Sequence, residues 1–134
     1  MRLFTYGSLM FPEVWRAVSG VDLPGEDASL PGYAVFRVRD ALFPGMVADE
    51  GSTARGRLYQ GIDAAAMKRL DAFEDDYYER HELTVSLASG ETVRAFAYVV
   101  PSLHASWLSD ELWCAETFKT EHLDEFTRRC GLKP

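Results

Sequence analysis

The chain has 134 residues, 47% of them hydrophobic, and a net charge of -7; this suffices for one domain with a substantial core, and is too acidic for nucleic acid or an anionic membrane surface to be the main partner. Only Cys114 and Cys130 are available, too few for a disulfide framework and without the clustered spacing of a zinc site. Arg2 precedes only two apolar residues, which is neither a signal peptide nor a membrane span, so the expectation is a soluble, cytoplasmic, single-domain protein over residues 1–134.

Leu3, Phe4 and Thr5 predict a buried strand over residues 2–6, and it empties into Tyr6-Gly7-Ser8-Leu9. Glycine permits close backbone approach, leaving the amides of Gly7, Ser8 and Leu9 free to face a small anionic or carbonyl group. The same dipeptide is also a common plain exit from a strand. Phe11 to Val18 reads as a helix, with Pro12 near its start and Gly20 just past its end. Pro24, Gly25, Pro31 and Gly32 mark a loop, and Tyr33 to Arg39 reads as a strand with a bulge or two-sided burial. Leu42 to Val47 crosses Pro44, which cannot donate to a central ladder, so it belongs at an edge or bend beside a pocket. Arg55 to Gln60 re-enters the sheet.

Asp63 is a candidate cap for a helix ending at Glu74, and Ala64, Ala65, Ala66, Met67 and Lys68 favour its nucleation. Ile62, Ala66, Leu70 and Glu74 follow at four-residue steps, so the glutamate continues the core-facing stripe while Asp71, Asp75 and Asp76 point elsewhere. Leu83–Leu87 and Thr92–Val100, joined by Ala88-Ser89-Gly90-Glu91, predict a β-hairpin. A helical segment over about 109–130 completes the chain, capped by Ser109, with Leu112, Ala115, Phe118, Leu123, Phe126 and Cys130 on an interrupted apolar face, as one helix or as two broken near Thr120. The elements add up to an α+β domain whose strands curl into a small mixed barrel.

A glutamate on a core-facing stripe is costly as an anion, and desolvation with acidic neighbours raises its pKa toward the range useful for proton transfer. Arg80 opposes that shift. Periodicity equally allows Glu74 to be the solvated end of a helix. Ser8 lacks the sequence context of an activated nucleophile, and His81, His104 and His122 show no pattern marking one as its base. Tyr6, Tyr78 and Tyr98 either offer hydroxyls to a polar ligand or are core aromatics with satisfied hydroxyls. Trp107 and Trp113 read as packing.

Taken in order, Leu3 to Leu9, Phe43-Pro44-Gly45-Met46-Val47, Gly56-Arg57-Leu58-Tyr59, Leu70-Asp71-Ala72-Phe73-Glu74, Tyr78-Glu79-Arg80 and Ala97-Tyr98 resemble the blocks of the γ-glutamylcyclotransferase-like family, which includes the avirulence-induced proteins and γ-glutamylamine cyclotransferases. The resemblance spans roughly residues 2 to 100. It implies a compact mixed barrel with outer helices, a Tyr6-Gly7-Ser8-Leu9 loop holding a γ-glutamyl group, and Glu74 as general acid/base. Tyr78 and Tyr98 match recurrent aromatic positions near the cavity. The implied reaction is an intramolecular aminolysis of a small γ-glutamyl substrate to 5-oxoproline and a free amine, with no metal or organic cofactor. A metabolite-binding domain without turnover is the alternative. The leaving amine and the oligomeric state are not legible.

Overall fold

The computed structural model describes residues 1–39, 44–74 and 78–113. Strand β1 (Leu3–Thr5) is buried along its whole length, because it lies between two neighbours: β3 (Pro44–Tyr59) antiparallel and β5 (Thr92–Val99) parallel. β2 (Gly25–Val38) pairs with β3 on one side and with β4 (Glu79–Leu87) on the other, and β4 forms the expected hairpin with β5. The circuit β3-β1-β5-β4-β2 returns to β3, giving a closed five-stranded mixed barrel, and β6 (Leu108–Leu112) adds to the far part of β2.

Alternation along the strands separates a barrel core from a helix-side core, and Val38, Val100 and Leu108 form a third, smaller cluster. Phe4, Leu30, Met46, Leu58, Val85 and Ala97 fill the barrel. Leu3, Tyr59 and Tyr98 point outward and meet the helices α1 (Pro12–Ser19) and α2 (Ala64–Glu74) through Trp15, Ile62, Ala66 and Leu70. Helix α1 ends where expected: Gly20 adopts a left-handed conformation and donates its N–H to Arg16 O at 3.0 Å. Helix α2 is capped by Asp63, whose Oδ1 accepts from Ala66 N–H at 2.8 Å. Among the described residues no helix is long and apolar enough to cross a membrane.

Three expectations change. Pro31 and Gly32 lie inside β2, not in a loop, because the β2–β3 register jumps from Pro31 opposite Thr53 to Tyr33 opposite Ala48. Gly32, with φ of 86°, accommodates that bulge. The stretches around Val47 and Leu58 are accordingly two parts of one strand, with residues 49–52 left without a β2 partner between them. Ser109 and Leu112 belong to β6 and not to a helix, because a free edge of β2 is there to pair with: Val38 takes Leu108 and Phe36 takes Leu112. The remainder of that segment, with Cys114, Ala115, Phe118, Leu123, Phe126 and Cys130, lies outside the described residues, as do Leu42, Phe43, Asp75, Asp76 and His122.

Candidate active site

The parallel pairing of β1 with β5 sends both strands out at one end of the barrel. There β1 becomes Tyr6 and then a single 3-10 turn, Ser8–Met10. Met10 N–H and Phe11 N–H donate to Gly7 O and Ser8 O at 3.0 and 3.1 Å, which fixes the turn. As at any helix start, the leading amides have no partner within the turn. Among the described residues no main-chain acceptor is found for those of Gly7, Ser8 and Leu9. The glycine is required by proximity: a Cβ on Gly7 would fall 2.8 Å from Pro44 Cγ. Ser8 and Leu9 are buried, Leu9 as part of the helix-side core, and Leu9 O accepts from Tyr59 OH at 3.1 Å. His81 pairs with Glu79 and His104 stacks on Trp107, so neither serves Ser8 as a base.

The three tyrosines sit around this barrel end with their hydroxyl protons already committed. Tyr6 OH donates to Tyr98 O at 2.7 Å, Tyr98 OH to Asp71 Oδ1 at 2.7 Å, and Tyr78 OH to Pro44 O at 2.5 Å. A hydroxyl whose proton is committed in this way has only its oxygen left to offer, as an acceptor. Burial pushes the Tyr6 and Tyr98 hydroxyls well above the usual tyrosine range, and the charge of Glu74 adds to both shifts. Tyr78 adds to that of Tyr6. Tyr6, Tyr78, Tyr98 and Glu74 thus share one electrostatic neighbourhood.

Glu74 is the last residue of α2, one step beyond buried Leu70 on the same stripe. It keeps a partly accessible edge, but ion solvation depends on what surrounds the carboxyl, and protein crowds it. Desolvation, followed by the negative charge of Asp71, pushes its pKa from 4.5 to about 8. The helix end is therefore not a freely solvated carboxylate.

Asp71 is the residue the periodicity misassigned. It lies three positions before Glu74, close enough for side chains on one helix face to interact. Besides the Tyr98 hydroxyl, its carboxylate accepts from Arg80 Nη1 at 2.7 and 2.9 Å. Arg80 thus neutralises Asp71 directly, and also lies over the Phe96 ring at 4.9 Å. The pair Asp-x-x-Glu, followed by Arg80 and Tyr98 on the two hairpin strands, was the available pointer to this arrangement.

The sequence profile described as gamma-glutamyl cyclotransferase, AIG2-like, matches residues 3–115. AIG2-like protein C of Arabidopsis thaliana is 31% identical over 115 residues, covering 81% of this chain and 67% of that protein. A solution structure of an Arabidopsis thaliana protein superposes with a TM-score of 0.74 at 23% identity, over 96% of this chain and 78% of that one. A solved protein named gamma-glutamyl cyclotransferase superposes with a TM-score of 0.67 at 12% identity, over 98% and 86%. At these identities the two superpositions establish the barrel fold.

Proposed function

The chain belongs to the AIG2-like gamma-glutamyl cyclotransferase family, and from that premise we propose that it closes γ-glutamyl amines or peptides to 5-oxoproline, with Glu74 relaying the protons. The observation that carries this reading is the position of the Glu74 carboxyl, at the end of α2 near Asp71, Tyr6 and Tyr98, where desolvation pushes its pKa up to about 8. At pH 7 such a group is roughly one-tenth ionised, so it can both take and return a proton.

The γ-glutamyl end carries an α-ammonium, an α-carboxylate and the γ-carbonyl. Tyrosine oxygens and Glu74 offer acceptors to the ammonium, while the amides of Gly7, Ser8 and Leu9 offer donors to an anionic oxygen. An ammonium beside Glu74 favours its ionised form, which then accepts a proton from that ammonium. The freed amine attacks the γ-carbonyl carbon, the new C–N bond closes a five-membered ring, and negative charge develops on the carbonyl oxygen where the loop amides stabilise it. The bond to the leaving nitrogen then breaks. Of the three ammonium protons, two reach the leaving amine by way of Glu74 and one remains as the lactam N–H. Nucleophile and electrophile lie in one molecule, so holding the folded conformer supplies much of the acceleration.

Asp71 and Arg80 are assigned as positioning residues that set the proton affinity of Glu74. In the pH profile of kcat/KM the acid limb follows ionisation of Glu74, rising with pH toward about 8. Asp71→Asn removes a neighbouring anion and moves that limb to lower pH by about half a unit to one unit. Arg80→Gln strips Asp71 of its counter-charge and moves it to higher pH by a similar amount. Loosened packing alone gives no such opposed pair of shifts, and shifts of the same sign would refute the assignment.

The activity itself is tested by incubating the protein with γ-glutamyl amines and measuring 5-oxoproline. Ring closure is expected. Binding without product would instead identify a metabolite-binding domain.

A further inference from the structure

A cleft of about 600 Å3 opens at the same end of the barrel, beside the β2, β3, β5 and β6 residues that line it. Phe36, Val47, Val100 and Leu108 give it an apolar lining, and Arg39 and Asp110 add charge. Strand β3 links it to the loop in three steps. Pro44 abuts Gly7; Gly45 is so close to the cleft wall that a Cβ would fall 2.5 Å from Val100 Cγ2 and 2.7 Å from Leu108 Cδ2; and Val47 lines the cleft itself. Pro44 to Val47 spans about 10 Å of strand, the length of about three extended residues. Tyr78 marks the junction, packed against both the helix-side core and the Val38, Val100 and Leu108 cluster.

Arg39 is held by its own backbone, with its N–H donating to Trp107 O at 2.8 Å and its Nε to Ser106 O at 3.2 Å. Arg16, Arg37, Arg57, Arg80 and Arg94 each meet a carboxylate. Among the described residues Arg39, like Arg2, Arg55 and Arg69, meets no carboxylate, and of these four it is the one that lines the cleft, with its terminal nitrogens open to an external acceptor. An apolar cleft with one anchored guanidinium that no carboxylate contacts directly suits a ligand that is greasy along its length and anionic at its tip. Asp110 complements an ammonium beside that tip, as in an amino-acid end.

We infer that this cleft receives the departing half of the substrate, an amine with an extended apolar body ending in a carboxylate that Arg39 binds. The assignment rests on the γ-glutamyl reading of the neighbouring site. It makes the enzyme selective for γ-glutamyl conjugates of amino acids or short peptides over those of simple alkylamines.

The matched probes are γ-glutamyl-6-aminohexanoate and γ-glutamyl-pentylamide, which share one methylene stem and differ by the terminal carboxylate. The wild-type protein should favour the carboxylated substrate by about tenfold in kcat/KM, the scale of one charge-assisted contact. In Arg39→Gln the ratio should fall to near one. A wild-type ratio near one, or an unchanged ratio in the variant, overturns the inference. Calorimetric binding of free 6-aminohexanoate and pentylamine to both proteins needs no chemistry and separates the two ideas. Carboxylate preference in binding without any 5-oxoproline would remove the reaction and leave the cleft assignment standing. Product formed without any carboxylate preference would do the reverse.

Discussion

Replacing Glu74 by glutamine will lower kcat/KM for 5-oxoproline release by about 10²–10⁴-fold, the usual scale for loss of a positioned acid–base group, while leaving the fold intact. Glutamine keeps the shape and sits where desolvation already disfavours the carboxylate, but it cannot carry a proton. Stability separates loss of chemistry from loss of structure. The folded protein holds the Glu74 proton up to about pH 8, whereas an unfolded chain releases it near 4.5. The folded state therefore binds more protons across that window, and wild-type stability falls as pH rises through it. Glutamine has no ion to desolvate, so the Tm of Glu74→Gln should gain on wild type from pH 5 to pH 9. A variant with wild-type turnover, or one that is unfolded at every pH, would remove the residue from its assigned role.

Gly7→Ala is the second large effect. Its Cβ would meet the rigid ring of Pro44 at 2.8 and 3.1 Å, and Pro44 in turn accepts the Tyr78 hydroxyl through its carbonyl. Either the loop or the start of β3 must move, and a displacement of about 1 Å in positioned donors costs on the order of 10²-fold in rate. Overpacking adds a stability loss of about 1–3 kcal/mol. Pro44→Ala combined with Gly7→Ala removes the obstructing ring and should recover part of both losses, a coupling measurable as a double-mutant cycle. Full activity in the single variant would mean that close approach at Gly7 is unimportant.

These two sites were legible in the sequence to different degrees. Glu74 could be placed because Ile62, Ala66 and Leu70 set a four-residue rhythm that local helix geometry preserves, and all three are buried. The hairpin and the α1 boundaries were likewise written in local turn and cap chemistry, at Gly90 and Gly20. The β2–β3 pair was not, since Pro31 and Gly32 are strand breakers unless a bulge absorbs them, and the partner that permits this lies some twenty residues away. Strand β6 was missed for a similar reason: its form comes from the edge of β2, far off in sequence. Asp71 escaped notice because its partners Tyr98 and Arg80 reach it only once the hairpin has folded onto α2. Reading a stripe assigns faces of a helix; it does not reveal what the neighbouring strand brings to them.

The proton affinity of one carboxyl group decides the chemistry, and carboxyl-carbon NMR titration of Glu74 in the wild-type protein measures it directly. The expected result is a transition centred near pH 8 in the free protein, absent from the Glu74→Gln spectrum and moved to lower pH when a γ-glutamyl ligand brings its ammonium alongside. A transition near pH 4.5, unmoved by such a ligand, would contradict the account.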